Sequence, residues 1–298
     1  MPLIQDVVVI AALVEDANML KDIKQFVSIW KDILKERISK LGKTPKLVIV
    51  QVGSVEASNR YVKNKIKDCA EVGIEAEVVN VNEDVSTVEL TKIVEKAQKN
   101  ADGIIVQLPL PQHINEEAIL KVIDRRKDVD GFTKGSKFKP ATAKGIMEYL
   151  KYCDFDLTGK DVCILGRSKT VGKPLAQMMM DADATVTVVH SKSNRRAKDF
   201  YTHSADLIVS AVGKPKFLNC YSIHVPVIDV GINFNEEGKM VGDCFNTEDR
   251  WVTPVPGGVG LLTRCALLEN VVEAASMTDT GSMARLREKI EEIWQKGE

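Results

Sequence analysis

The sequence predicts an α/β fold with two α/β domains, the second of them Rossmann-like with a parallel sheet. Three observations predict this fold. Apolar strand-like runs alternate with amphipathic helix-like segments, the alternation restarts after residue 140, and a glycine-containing turn follows a strand in the second half. Alternation of this kind is typical of βαβ units, whose parallel sheets are covered on both faces.

The predicted elements follow the chain in that order. In the first half we expect strands at 46–52, 74–81 and 103–111 and helices at 57–72 and 86–100. The second of these helices begins with a capping box, because Glu89 stands three residues after Ser86. In the second half we expect helices at 142–154, 173–183 and 283–297 and strands at 160–166, 185–191, 205–213 and 224–233.

Length and composition restrict the classes of function. A chain of 298 residues can build two domains with separate cores. Its 44% hydrophobic content and mean hydropathy of −0.09 indicate a soluble globular protein. The 41 basic and 42 acidic side chains leave a net charge of −1, so no global field attracts nucleic acid or an anionic membrane. We expect neither of these as a partner.

Cysteine and histidine spacing argues against structural metal and disulfides. The six cysteines lack CxxC spacing, which indicates free thiols in a reducing cytoplasm. The four histidines show no HxxxH or HxH spacing, so we expect no metal site. The apolar run Val7–Val14 is too short to span a bilayer and lacks the flanks of a signal peptide, which favours a buried strand or helix start and a cytoplasmic location.

A dinucleotide-binding turn is predicted at CILGRSKTVGKP. Gly166 ends a strand, Ser168 and Gly172 follow in a GxSxxxG pattern, and a helix begins nearby. Glycines allow the backbone to approach a pyrophosphate, and the helix N-terminus supplies N–H groups and partial positive charge. The glycine spacing alone is also compatible with a plain strand-to-helix turn.

The next strand end favours NADP over NAD. An NAD site places a carboxylate about 20 residues after the glycine turn, but the segment VVHSKSNRR has none. Ser191, Arg195 and Arg196 stand there instead, and Arg167 lies in the glycine turn, so donors are available for a 2'-phosphate. The alternative for the two later arginines is a solvated basic turn.

Two further strand ends, SAVGKP and IDVGIN, are expected to border the same crevice. They add Gly213 and Ile232 to the predicted cofactor-binding residues. Asp229, in the second of these segments, is expected to serve structure rather than catalysis.

Several fragments together resemble one family. SNRYVKNKIKDCAEVGI, IIVQLPLP, KDVDGF, GRSKTVGKP and VTPVPGGVG closely resemble, in order, motifs of the bifunctional methylenetetrahydrofolate dehydrogenase/methenyltetrahydrofolate cyclohydrolase family. The resemblance implies a folate-binding catalytic domain at 1–140 with a returning C-terminal helix at 275–298, and an NADP-binding domain at 141–274. It also implies a cleft between the domains and a homodimer formed through the nucleotide-binding domain.

The resemblance assigns roles on one predicted helix. Tyr61 and Lys65 are four residues apart and therefore share a helical face; from the residues alone, Lys65 reads as solvated surface. In the family's YxxxK motif the tyrosine stacks on the folate ring and the lysine reaches the one-carbon centre. Because an exposed lysine has a pKa of about 10.4, proton transfer by this residue requires surroundings that favour a neutral amine. Gln107 matches the glutamine that contacts this lysine, and Ser58 matches a nearby hydroxyl.

The remaining folate contacts also come from the resemblance. Asp130 aligns with the acid that grips the pterin, since a carboxylate accepts two N–H bonds from a 2-aminopyrimidinone edge. A turn-forming aspartate is the alternative, for which Asp128 is the better candidate. The substrate-binding residues expected from the neighbouring motifs are Val106, Leu108, Pro256, Gly257 and Gly258.

The implied function is oxidation of 5,10-methylenetetrahydrofolate with NADP and hydrolysis of the product to 10-formyltetrahydrofolate. The chain departs from the family in a short segment at 133–139 and in Ala141, Ala143, Leu261 and Leu262. These departures leave open a monofunctional cyclohydrolase with weak or absent dehydrogenase activity. A non-catalytic folate- or nucleotide-binding protein is an alternative of another class.

Overall fold

The structure, a computed structural model, describes residues 20–53, 56–247 and 252–278. The apolar run Val7–Val14 and the helix expected at 283–297 lie outside these residues. No helix among the described residues is long and apolar enough to cross a membrane.

The chain divides into two compact units. Among the described residues, 29–141 with 264–278 form the three-stranded unit, and 20–28 with 142–263 form the four-stranded unit, each named after its largest sheet. Both of these sheets are parallel, which confirms the predicted α/β class. The domain boundaries derived from the sequence stay a prediction.

The first half of the described chain alternates helices and strands as expected. Its elements are α1 (Ile23–Ser39), β1 (Lys46–Val52), α2 (Glu56–Val72), β2 (Glu75–Val81), α3 (Thr87–Ala97), β3 (Gly103–Val106), α4 (Glu116–Lys121) and α5 (Ala141–Tyr152). The capping box is confirmed, since Ser86 Oγ accepts the Glu89 N–H at 3.2 Å and Glu89 Oε2 accepts the Ser86 N–H at 3.1 Å. β3 is shorter than expected, because the two prolines after Gln107 have no N–H to donate to a ladder.

The three-stranded sheet has the order β2-β1-β3. The central strand β1 aligns Leu47 with Ala76 on one side and with Gly103 on the other. Side chains from its strands pack with Leu90 and Val94 of α3 and Ile119 of α4 in one buried cluster. This core fixes the carboxyl ends of the strands, where ligands of parallel sheets bind.

Strand β2 lies at the edge of that sheet and pairs only with β1 among the described strands. Lys46 Nζ contacts Glu75 at 3.3 Å and Glu77 at 2.8 Å. Two of the three exposed positions of the edge strand therefore carry charged side chains that pair with Lys46.

The second half of the chain builds the four-stranded unit. Its elements are β4 (Asp161–Leu165), α6 (Gly172–Met180), β5 (Thr185–Val189), α7 (Arg195–His203), β6 (Leu207–Ser210), β7 (Leu218–Asn219), β8 (Val227–Asp229), β9 (Asn233–Phe234), β10 (Met240–Val241), β11 (Cys244–Phe245) and α8 (Val259–Thr278). The strand expected at 224–233 is observed as the shorter β8, because the Asp229 carboxylate accepts the Gly231 N–H and turns the chain.

The four-stranded sheet has the order β5-β4-β6-β8. The chain leaves β5 on one side of β4 and returns as β6 on the other side. A crevice opens at such a reversal of strand order, beyond the carboxyl ends of the two central strands. The Rossmann-like arrangement predicted for the second domain is thereby confirmed.

Candidate functional site

Helix α2 carries the predicted catalytic lysine and begins close after the buried strand β1. Gln51, in β1, donates from Nε2 to Asn59 Oδ1 at 2.5 Å, and this contact ties the strand end to the start of the helix. Tyr61 and Lys65 follow on one face of α2, four residues apart, as the sequence predicted.

Lys65 contacts the residue that follows strand β3. Its Nζ donates to Gln107 Oε1 at 3.1 Å. The amide of Gln107 cannot flip freely, because its Nε2 donates to Leu108 O at 2.7 Å and leaves Oε1 as the acceptor. The Gln107 backbone is held in turn, since its N–H donates to Val50 O at 2.9 Å. The half-buried lysine therefore meets an acceptor of fixed orientation.

The two neighbours of Lys65 on the same line of α2 are uncharged. Burial raises the pKa of the Tyr61 phenol, so the ring stays neutral near pH 7. Burial also raises the pKa of the Cys69 thiol to about 12, so this cysteine is not a thiolate nucleophile. This face of α2 therefore offers the ring of Tyr61 for stacking and the amine of Lys65 for hydrogen bonding or proton transfer.

Asp130 lies close to Lys65 in the three-stranded unit. Burial raises the pKa of the Asp130 carboxyl, the positive charge of Lys65 acts in the opposite direction, and the charge of Asp128 adds to the rise. No described residue donates a hydrogen bond to the Asp130 carboxylate. By contrast, the Asp128 carboxylate accepts the Thr133 N–H and hydroxyl, each at 2.7 Å, so Asp128 is the turn-forming aspartate.

Asn270 of α8 is a residue that sequence reasoning missed. Its fully buried side chain donates from Nδ2 to Val129 O at 2.8 Å and to Lys139 O at 3.1 Å. These carbonyls flank Asp130 and the short segment 133–139. Asn270 therefore fixes the backbone that presents Asp130, and a partner so distant in sequence gives no local signal.

The other residues predicted around the folate site occupy different environments. Val106 is buried in the hydrophobic core, so its side chain packs inward, while Leu108 is half-buried. Ser58 falls within α2, and its side chain lies outside the described part of the structure. Pro256, Gly257 and Gly258 belong to the four-stranded unit, where they lead into α8.

A cavity of about 560 Å³ lies at the carboxyl ends of the strands of the four-stranded sheet. Three chain segments enclose it, namely the turn after β4, the turn after β5 and the turn after β6. The lining residues are Gly166, Arg167, Ser168, Val189, His190, Ser191, Ser193, Asn194, Lys198, Ala211, Val212, Lys214 and Phe217.

In the glycine turn after β4, the backbone of Gly166 lies close to the backbone of Ala211. Gly166 has a φ of +114°, and a Cβ there would collide with Ala211 O. Ser168 Oγ accepts the N–H groups of Val171 at 3.1 Å and Gly172 at 3.2 Å, where α6 begins. The serine therefore orders the turn, and Gly166, Arg167 and Ser168 of this turn line the cavity.

The cavity is positively charged. Arg167, Lys198 and Lys214 line it, and none of its described lining residues is a carboxylate. Lys198 Nζ lies 5.2 Å from the centroid of the Phe217 ring. The sequence predicted Arg167 but missed both lysines and His190, although each follows or lies near a strand end, where ligand contacts concentrate.

Four predicted cofactor residues do not line this cavity as described. Gly172 begins α6, and a Cβ there would collide with Gly166 O. Gly213 lies between two lining residues, and Ile232 is 43% exposed beyond β8. Arg195 begins α7, and its side chain lies outside the described part of the structure.

Two sequence models of one known family match consecutive parts of the chain. The sequence model of the tetrahydrofolate dehydrogenase/cyclohydrolase catalytic domain matches residues 17–130, and that of the NAD(P)-binding domain matches residues 140–279. A bifunctional protein FolD from Ligilactobacillus salivarius is 40% identical over 290 residues, which cover 91% of this chain and 99% of that protein. The chain belongs to the tetrahydrofolate dehydrogenase/cyclohydrolase family.

Solved structures agree with this membership. The bifunctional FolD of Campylobacter jejuni is 41% identical, with a TM-score of 0.80 over 86% of this chain and 97% of that chain. The Trypanosoma brucei FolD, solved with NADP cofactor and an inhibitor, is 29% identical with a TM-score of 0.80 over 87% of this chain and 97% of that chain. The family resemblance predicted from the motifs is confirmed, and the protein is an enzyme of a family that combines an oxidoreductase with a hydrolase.

Among the described residues of this tetrahydrofolate dehydrogenase/cyclohydrolase, no cluster of histidine, cysteine, aspartate or glutamate is arranged to hold a metal ion. The short segment 133–139 is an ordered turn, in which Ser136 N donates to Thr133 O at 3.1 Å and Lys137 N donates to Arg125 O at 2.9 Å. Of the residues that depart from the family pattern, Ala141, Ala143 and Leu262 are buried.

Replacing Asn270 with alanine should loosen the backbone around Asp130. Two backbone carbonyls lose their donor, so we expect the free energy of unfolding to fall by about 2 kcal/mol and the KM for the folate substrate to rise. Urea denaturation and steady-state kinetics measure the two effects. Ser276→Ala, in the same helix, removes a hydroxyl whose partner among the described residues is Val272 O, and it should leave the KM unchanged. An unchanged KM in Asn270→Ala would contradict the positioning of Asp130 by Asn270.

Proposed function

We propose that this protein oxidises 5,10-methylenetetrahydrofolate to 5,10-methenyltetrahydrofolate with NADP and hydrolyses that product to 10-formyltetrahydrofolate. The observation that carries the proposal is the contact between Lys65 Nζ and Gln107 Oε1, which orients an amine one helical turn after the aromatic residue Tyr61 on α2. Family membership supports the pairing of the two reactions.

In the hydrolytic step, water adds to the methenyl carbon and the bond from that carbon to N5 breaks. Protons must leave the water and reach N5, so a proton-transfer group near the one-carbon unit is required. We assign this role to Lys65. Gln107 accepts one N–H of the amine and fixes its direction, which leaves the rest of the amine for the water. Ser58 is assigned as a nearby hydroxyl.

Asp130 and Tyr61 are assigned to the pterin. The Asp130 carboxylate has no described hydrogen-bond donor and can accept two parallel N–H bonds from a 2-aminopyrimidinone edge. The neutral ring of Tyr61 offers a stacking surface one helical turn before Lys65. Leu108, the backbone of Val106, and Pro256, Gly257 and Gly258 are the further contacts proposed for the folate.

The charged cavity of the four-stranded unit fits NADP. Bound there, NADP would supply the acceptor for the hydride of the methylene carbon, and the residues around it would align the reacting atoms and exclude water. We assign Gly166, Ser168, Gly172 and Gly213 to the shape of the site. Arg167, Ser191, Arg195 and Lys198 are assigned to the phosphates, and the absence of a carboxylate among the described lining residues favours a 2'-phosphate. Ile232 is exposed, and we keep it only as a contact of the nicotinamide end.

The oligomer and the location belong to the same proposal. A homodimer formed through the nucleotide-binding domain is proposed from the family, and Phe234 of β9, which is 49% exposed, offers an apolar side chain of that domain to a second copy. All six cysteines are free thiols, in keeping with a cytoplasmic enzyme.

Replacing Lys65 with methionine tests the proposal directly. Methionine keeps the apolar stem but removes the amine, so we expect ring opening to fall at least a hundredfold, while hydride transfer keeps most of its rate. Both half-reactions are followed by the absorbance of the methenyl group and of the reduced cofactor.

Lys63→Met is the matched control, because Lys63 is an exposed lysine on the same helix and should retain both rates. Equal loss of both activities in Lys65→Met would contradict the role given to the amine. If the unaltered protein hydrolyses the methenyl group but transfers no hydride, the monofunctional cyclohydrolase is the correct alternative.

Asp130→Asn should weaken folate binding selectively. We expect the KM for the folate substrate to rise about tenfold or more, since a charge-assisted pair of hydrogen bonds is lost, with little change in the KM for NADP. In the unaltered protein, burial raises the pKa of this carboxyl. The folate KM should therefore rise on acidification already above the ordinary aspartate pKa of about 3.9, as the carboxylate becomes protonated. The same acid-dependent rise in Asp130→Asn would overturn the assignment.

Arg167→Gln should reduce the preference for NADP over NAD. Loss of a guanidinium near the 2'-phosphate is expected to raise the KM for NADP about tenfold and to leave the KM for NAD nearly constant. Lys169→Gln, an exposed neighbour outside the cavity lining, serves as the control. Comparable turnover of the unaltered protein with NAD and NADP would refute the proposed cofactor.

A further inference from the structure

Asp243 is a fully buried carboxylate that the proposed reaction does not use. It lies between β10 and β11 and does not line the cofactor cavity. Five donors nevertheless converge on its two oxygens. They are Ser210 Oγ at 3.2 Å, the backbone N–H groups of Val212 at 2.7 Å, Gly213 at 3.2 Å and Lys214 at 2.9 Å, and Asn233 Nδ2 at 3.0 Å.

Three of these donors are consecutive backbone amides of the turn after β6. Successive N–H groups that point at one anion form a concave nest, and the anion fixes the backbone dihedrals of that turn. Among the described residues no lysine or arginine pairs with Asp243, so these dipoles balance its charge. Movement of the turn would leave a buried carboxylate unpaired, which is costly.

The same turn is a wall of the cofactor cavity. Ala211, Val212 and Lys214 all line it. The main chain of Asp243 holds a second part of the wall, because its carbonyl oxygen accepts the N–H of Phe217 at 2.7 Å, and the Phe217 ring also lines the cavity. One residue outside the cavity therefore holds two segments of its surface.

Glycines provide the space that the Asp243 and Asp229 carboxylates occupy. A Cβ on Gly231 would collide with the Asp243 carboxyl group, and a Cβ on Gly242 would collide with that of Asp229. The Asp229 carboxylate in turn accepts the N–H of Asp243 at 3.0 Å and the N–H of Gly231 at 2.9 Å. Asp229 therefore has a specific structural contact, because its carboxylate holds the backbone of Asp243.

We propose that Asp243 is a positioning residue for the cofactor, which sets nucleotide affinity by fixing the turn 211–214 without touching the nucleotide. The inference rests on the proposed function, since it takes the cavity to be the NADP site. A residue that acts through this wall affects the nucleotide and leaves the folate site unchanged.

The test compares NADP and folate binding in Asp243→Asn. The amide keeps the shape of the side chain but turns one acceptor into a donor that faces N–H groups. We expect the Kd and KM for NADP to rise about tenfold or more, with the folate KM changed less than about twofold. Calorimetric titration with NADP and steady-state kinetics are run at a temperature where circular dichroism shows every variant folded.

Two further variants keep the proposal falsifiable. Ser210→Ala removes one of the five donors and leaves the carboxylate and the turn amides in place, so a smaller rise in the NADP Kd, about two- to fivefold, is expected even if Asp243→Asn fails to fold. Asp102→Asn is the control, because Asp102 is a buried carboxylate of the three-stranded unit that accepts the Lys46 N–H at 2.9 Å. It should lower thermal stability and leave the NADP Kd unchanged.

The results distinguish the positioning role of Asp243 from the identity of the cofactor. An unchanged NADP Kd in Asp243→Asn or, should that variant not fold, in Ser210→Ala would overturn the positioning role alone. Equal weakening of NADP and folate binding would do the same, because it indicates general destabilisation. Absence of saturable NADP binding by the unaltered protein would overturn the proposed cofactor, and the positioning role with it.

Discussion

The hydrogen bond from Lys65 to Gln107 is the contact on which the chemistry assigned to the three-stranded unit depends. A lysine on a helix surface has many rotamers, and a single acceptor of fixed orientation selects among them. The acceptor is fixed because Gln107 follows β3, which pairs with the central strand β1, and because its Nε2 donates to Leu108 O. The position of β3 thus determines the direction in which the Lys65 amine points.

Sequence could predict the parts of this protein that are set by nearby residues. β1 has the bounds expected from its apolar run, and the capping box of Ser86 and Glu89 needs only two residues three positions apart. The family motifs added Lys65 and Gln107, whose separation of 42 residues no periodicity reveals. What remained hidden are buried polar side chains with distant partners.

Asn270 and Asp243 illustrate why those side chains were hidden. Asn270 reads as an ordinary polar residue in an apolar helix, and its partner Val129 is 141 residues away. Asp243 reads as a turn residue after a glycine, although its carboxylate organises a turn about 30 residues earlier. Both side chains are hydrogen-bonded because an unpaired polar group is costly to bury. Only the folded structure shows which residues are their partners. The same requirement makes each of them a support for a binding surface that it does not touch.

The ion pairs on the edge strand β2 have a consequence for the behaviour of the protein at high concentration. An exposed strand edge offers unpaired backbone groups to any other extended chain, and charged side chains along it discourage such pairing. Glu75 and Glu77 occupy this edge and are anchored by Lys46 of the neighbouring strand. Glu75 and Glu77 therefore disfavour pairing of β2 with a strand of another molecule. This protection from aggregation is independent of folate and nucleotide chemistry.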